Sequence, residues 1–344
     1  MRALRGTRCF IVTATIAGLL AFAAPAMAAS PDAGLFGSSD PTYDGVYRQS
    51  LAIMALEEAG ATVPASAVTW LKAQQCLDGR YLAYRASIRT ACPAPDPVNY
   101  TGPDTNSTAL AAMALEAVGE KAAAAKAVKS LVASQNADGG WGYTFGSPSD
   151  ANSTGLVLAA LDDTSDDEVA SERRGLRYFR SIAGDCANGA AHLPYQAGQA
   201  ANDLASAQAL LGLNTGLVSR DSAATYTKAR KCSERIDQQV AEYLIDQLKK
   251  NDGLLKSPLD PSKPDYNATA WAIVGLVGAN RPVSDIAPAV RKLRQGASAY
   301  VGTGASTSPA AAATLALMAE HVDADAREFG GLDLVSALKG TIRR

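Results

Sequence analysis

The sequence predicts an all-α protein, a single-domain (α/α)6 toroid of about twelve helices. Three observations lead there. Polar openings recur at Asn106, Asn152, Asn202 and Asn267, spaced 46, 50 and 65 residues apart. Such a period marks a helix-pair repeat with variable insertions. The helices are of two kinds, one small and apolar on most faces, the other amphipathic with Lys and Arg outside. A helix that is apolar all round must be buried all round. An inner ring of six small helices wrapped by six charged ones satisfies both kinds. Finally, 47% of the chain is hydrophobic but only 6% is aromatic, so small side chains fill the core and helices approach closely. An open solenoid of helix hairpins is the alternative. Neither terminal pair carries the polar cap that an open end needs.

The pairs follow in order. Tyr47 to Glu58 is apolar on most faces and stops at Gly60, a helix C-terminal glycine. Pro64 to Gln75 starts with proline in its first turn and places Ala67, Trp70 and Leu71 at helical spacing. The turn Cys76 to Tyr81 carries Asp78-Gly79, repeated 60 residues later as Asp138-Gly139. Asp104 to Gly119 is the next small helix, and Glu120 to Gln135 sets Lys121, Lys126 and Lys129 on a solvated face. The third pair is Asn152 to Leu161 and Glu168 to Ile182. The fourth is Asn202 to Gly212 and Glu234 to Lys250, closed by Asn251-Asp-Gly253. The fifth is Asn267 to Leu276 and Val283 to Gln295. The sixth opens at Ser308 and ends in a helix after Gly330-Gly331.

The first 28 residues read as a secretory leader. Arg2, Arg5 and Arg8 precede the apolar run Phe10 to Ala24, and Ala26-Met27-Ala28 is a small-x-small cleavage signal. Residues 29–40, rich in Pro, Gly and Ser, are expected to be a flexible leader to a toroid domain over 41–344. Outside the signal stand Cys76, Cys92, Cys186 and Cys232. Four cysteines in an exported chain suggest two disulfides. Of the three pairings, Cys76–Cys92 and Cys186–Cys232 are favoured, because each pair brackets one inter-helix loop. Without the three leader arginines, the 32 basic residues fall to 29 against 34 acidic ones, a net charge of −5. Nothing in that balance attracts nucleic acid or anionic lipid. No second long apolar segment calls for membrane insertion.

Two stretches resemble known families. Gln135-Asn-Ala-Asp-Gly-Gly-Trp141 resembles the Gln-Trp repeat of the terpenoid cyclase and prenyltransferase toroids. Asp104-Thr-x-x-x-Ala-Leu-Ala-x-Met-Ala-Leu115 resembles the inner-helix motif of the intrinsic factor and transcobalamin α-domain. Both resemblances imply the same closed ring. They leave the activity open.

In such a ring every Gly-rich turn delivers the chain to the N-terminus of an inner helix, so all inner N-termini share one rim. Unpaired N–H groups and Asp, Asn, Ser and Thr side chains there suit a polar ligand. The candidate ligand residues are Asp104, Asn106, Ser107, Tyr143, Asn152, Tyr195, Asn202, Asp203, Gln208, Tyr266 and Asn267. Each polar one is equally placed as an N-cap, worth about 1 kcal/mol. Asn106-Ser-Thr, Asn152-Ser-Thr and Asn267-Ala-Thr also match glycosylation sequons, but recurrence at one repeat position favours capping.

Catalytic sets are sparse. Class II cyclases, by the resemblance, protonate substrate with Asp-x-Asp-Asp. Asp162 to Asp167 lacks that spacing and reads as a solvated acidic loop. Six Phe and three Trp make poor walls for a carbocation. Only His192 and His321 could serve as imidazole base or ligand, and no cysteine stands free beside either for zinc. Asp104 and Asp203 are the one candidate carboxylate pair for glycoside chemistry. The leading expectation is a secreted, non-enzymatic small-molecule-binding protein, with cobalamin or another corrinoid as the named ligand. An extracellular protein or cell-wall interaction module is the second reading, and a terpene cyclase-like or glycan-active enzyme the third.

Overall fold

The protein is described by a computed structural model covering residues 32–161, 165–185, 189–214 and 235–344. Twelve α-helices lie among the described residues. The inner ones are α1 (Gly45–Glu58), α3 (Thr105–Ala117), α5 (Ala151–Ala160), α7 (Asp203–Asn214), α9 (Tyr266–Gly278) and α11 (Pro309–His321). The outer ones are α2 (Ala65–Ala73), α4 (Lys121–Val132), α6 (Asp166–Ile182), α8 (Ile236–Lys250), α10 (Val283–Val301) and α12 (Leu334–Gly340). Each inner helix packs on its two inner neighbours, and α11 packs on α1, so the ring closes. Each outer helix packs on the inner helix of its own pair. The predicted toroid is what the chain forms.

The inner helices are buried on nearly every face, whereas α4, α6, α8 and α10 bury one stripe each. Small residues set the spacing. A Cβ on Gly155 of α5 would stand 2.3 Å from the Gln208 carbonyl oxygen of α7, and one on Gly212 would stand 2.4 Å from the Gly155 carbonyl oxygen. The two backbones therefore touch, with no room for a methyl group. Outer helices are braced by glutamines of the Gly-rich turns. Gln75 donates to the carbonyls of Gly79 and Ala123, and Gln135 does the same to Gly139 and Ser171. Trp141 is buried and donates from Nε1 to the Leu131 carbonyl at 2.8 Å, which makes it architecture.

Two expectations need correction, the leader and the end of the fifth pair. Residues 32–40 are not a loose leader. Leu35 and Phe36 are fully buried, Phe36 pairs with Ile342, and Arg343 binds Asp32 at 2.6 Å and the carbonyls of Gly37 and Ser39. Polar composition hid two apolar anchors. The outer helix of the fifth pair runs on to Val301, past Gln295, because nothing breaks it before Gly302 at φ 75°. Gly296 sits inside that helix since the Tyr266 ring lies flat against it, its hydroxyl 2.2 Å from where a Cβ would be. The acidic loop begins outside the described residues at 162–164. Its later part caps α6, with Asp166, Asp167 and Glu168 in the first turn, where the helix dipole favours them.

Cys76 and Cys92 form a disulfide across 16 residues of sequence, as expected. Cys186 and Cys232 lie outside the described residues. Among the described residues no helix is long and apolar enough to cross a membrane.

Gly155→Ala must push α5 from α7 and should destabilise the protein by about 1–3 kcal/mol in urea unfolding. Gly340→Ala meets nothing within 4 Å and serves as the neutral control.

Candidate functional site

One pair of hydrogen bonds recurs where a turn meets four of the inner helices, α3, α5, α7 and α9. Trp141 donates its N–H to the Thr154 hydroxyl at 2.9 Å and accepts from the Asp150 N–H at 2.9 Å. Tyr81 does so with Thr108 and Asp104, Leu193 with Ser206 and Asn202, and Leu255 with Thr269 and Asp265. The hydroxyl residue three or four places into each opening is therefore spent on the turn. The residue preceding the helix is the cap. Asp104 accepts from the Ser107 N–H at 2.6 Å, Asp150 from the Ser153 N–H at 2.7 Å and hydroxyl at 2.9 Å, and Asp265 from the Ala268 N–H at 2.8 Å.

The helix N-termini are consequently not free. The first N–H of α3 donates to the Tyr143 carbonyl and that of α5 to the Tyr195 carbonyl, both across to the next unit. At α3 and α5 the first N–H, an expected donor for an anionic ligand, is taken up by the fold itself. What remains on the rim is a ring of side chains.

Three units bring their side chains together. Asn106, Tyr143, Asp150, Asn152, Ser153, Tyr195, Asn202, Leu204 and Gln208 line a cavity of about 300 Å³ over the N-termini of α3, α5 and α7. Asn152 donates from Nδ2 to Gln208 Oε1 at 2.8 Å, fixing both amides. Burial pushes the Asp150 carboxyl up to about 6, against the Ser153 donors that favour its anion. Burial likewise pushes the Tyr195 phenol up to about 12, helped by the nearby Asp150 charge. The Tyr143 pKa is raised first by Asp104 and then by burial. Asp104 lies behind this lining, 2% exposed, and burial raises its carboxyl to about 7.

Other expected residues go elsewhere. Asp203 turns outward and accepts from the Tyr243 hydroxyl of α8 at 2.6 Å, so it does not face Asp104 across the rim. Its register is one residue past the cap, which is Asn202. Ser107 gives its N–H to Asp104 and is buried. Tyr266 stacks on Tyr300 of α10, and neither it nor Asn267 lines this cavity. His192 packs against Tyr243 and the Gly184 backbone. Sequence reasoning misses Asp150, Ser153 and Leu204. A signal for the first is present as Asp-x-Asn, at Asp104-Thr-Asn106, Asp150-Ala-Asn152 and Asp265-Tyr-Asn267. Among the described residues no group of three His, Cys, Asp or Glu is placed to hold a metal ion.

No protein-family model matches the sequence, and no curated protein matches it. Solved structures do. A protein from Actinoplanes shares 15% identity over 85% of this chain and 92% of its own, with a TM-score of 0.52. The apo type II terpene cyclase MstE from Scytonema shares 16% identity over 73% and 69%, with a TM-score of 0.46. A single-residue variant of MstE, solved with its substrate geranylgeranyl dihydroxybenzoate, shares 15% over 73% and 68%, with a TM-score of 0.44. At these identities the likeness is one of fold alone, the α/α toroid.

The expectation of a non-enzymatic corrinoid-binding protein is corrected. None of the similar structures just given is described as a corrinoid-binding protein, and two are of an enzyme. The rim cavity of about 300 Å³ stands at the bottom of the range for drug-sized ligands and has no room for a corrinoid ring.

The two raised carboxyls make stability depend on pH. An unfolded aspartate releases its proton near 3.8, whereas the folded Asp150 and Asp104 hold theirs to about 6 and about 7. Between those values the folded state binds more protons, so their contribution falls as pH rises through that window. Asp104→Asn stays neutral and keeps an acceptor for Ser107. It should lose less stability than wild type between about pH 5 and about pH 8, read by urea unfolding. Equal losses would contradict the raised pKa.

Proposed function

We propose that the rim cavity is the active centre of an acid–base enzyme for a small, neutral, hydroxyl-rich substrate, with Asp150 as the proton-transferring group. The observation that carries the reading is a buried carboxyl, poised near pH 6, in the lining of a cavity otherwise made of amides and phenols. The neutral acid can deliver its proton to a substrate oxygen. The Ser153 hydroxyl donates to the resulting carboxylate and can accept from the acid, so it holds the group in both states. The fixed Asn152–Gln208 pair and Asn106 orient hydroxyls, while Tyr143 and Tyr195 offer ring faces and phenol groups. The polar lining and small volume favour a sugar-like molecule over a long apolar chain.

A panel of p-nitrophenyl glycosides and short oligosaccharides tests this. Turnover should drop about 100-fold or more in Asp150→Asn, with one limb of the wild-type pH profile near 6. Undiminished turnover in that variant would sink the assignment.

We also infer that the protein works outside the cytoplasm. The support is the leader pattern of residues 1–28 together with the Cys76–Cys92 disulfide. Expression with the leader in a secreting host should yield a chain whose intact mass starts at Ala29. A chain that retains residues 1–28 would contradict export by this route.

A further inference from the structure

A second cavity, of about 500 Å³, lies away from this rim, among the C-terminal ends of α9 and α11 and the flank of α10. Its main wall is one stripe of α10. Val283, Ala287, Val290, Arg291 and Arg294 follow one another at helical spacing and so share a face. Val277 of α9 and Val322, just past α11, extend the aliphatic side, while Asn280 and His321 stand among the polar groups of the lining. Phe, Tyr and Trp are all missing from that lining.

The charges around this apolar floor are uneven. Of the arginines in the lining, Arg281 is engaged by Glu242 at 2.9 Å and Asp285 at 3.2 Å. Arg291 and Arg294 join no ion pair among the described residues; Arg294 lies over the Phe329 ring at 5.2 Å. The one acid in the lining is the exposed Asp323, on a left-handed backbone at φ 53°. Two guanidinium groups without a carboxylate therefore stand beside an aliphatic hollow, on a protein whose net charge is −2. A guanidinium fork matches a carboxylate in two parallel hydrogen bonds. Desolvating apolar area supplies the rest of the affinity.

From this we infer a second binding site, for an aliphatic carboxylate of medium length: an alkyl body on Val277, Val290 and Val322, and its anionic head on Arg291 and Arg294. An inorganic anion would leave the aliphatic side of the lining uncovered. Alkyl cations meet the two arginines. The site shares no residue with the rim cavity.

Decanoate is the probe, titrated calorimetrically into the whole chain. We expect a dissociation constant below about 1 mM. Arg291→Glu with Arg294→Glu should weaken it at least about tenfold, and decyltrimethylammonium should bind at least about tenfold more weakly than decanoate. Val290→Trp, which fills the hollow and leaves the charges alone, should also abolish binding and stands in if the double variant fails to fold. Asp150→Asn should leave decanoate binding unchanged, so this site and the rim activity fail separately. Absence of decanoate binding to folded wild type overturns the inference. So does affinity that survives both the charge reversal and the tryptophan.

Discussion

Four turns of this ring are fastened to the inner helices α3, α5, α7 and α9 by two hydrogen bonds each, and the rim cavity depends on them. A turn residue donates its N–H to a Thr or Ser hydroxyl inside the helix and accepts from the N–H of the cap residue. Both partners are buried at Trp141, Thr154 and Asp150, so losing either bond leaves a desolvated polar group. The fastening dictates register. It fixes which residue becomes the cap, which points into the rim and which turns outward. Asn152 reaches the cavity and Asp203 does not because the clamp counts from Asp150 in one unit and from Asn202 in another.

That dependence explains what can be read in the chain and what cannot. Small apolar helices alternating with charged ones are visible in the sequence, since burial on all sides leaves a compositional mark. The ring follows from them, and the Cys76–Cys92 pairing is legible in the inter-helix loop that the two cysteines bracket. Side-chain direction at a helix start leaves no such mark. Tyr266 and Tyr195 both stand near an inner-helix start, yet Tyr266, just past the cap Asp265, lies on Gly296, while Tyr195, in the turn before Asn202, faces the cavity. The difference is set by a glycine some thirty residues away in a neighbouring helix. Asp150 escapes a reading that starts each unit at its asparagine, because the cap stands two residues earlier. Leu35 and Phe36 hide among residues that usually signal a loose segment.

The cavity also places two demands on one group. As an N-cap, Asp150 is most useful when charged, because an anion binds N–H groups and the helix dipole best. As a buried carboxyl it resists ionisation. The balance leaves its pKa at about 6, and that of the equally buried Asp104 at about 7. A residue that holds the start of α5 therefore also titrates in a useful range. The repeat architecture supplies such groups from the caps alone, without a dedicated catalytic loop. Their burial depends on how tightly neighbouring inner helices approach, and so on residues such as Gly155 and Gly212.

The pairing of residues 34–37 with 341–343 has one more consequence. Those two segments lie side by side, and the ring treats the first and sixth helix pairs as ordinary neighbours. No pair is privileged as the beginning. A circular permutant, joined at that seam by a short linker and reopened in the turn between α9 and α10, would encode the same set of inner contacts in a different chain order. The topology thus belongs to the ring and not to the direction in which the ring is synthesised.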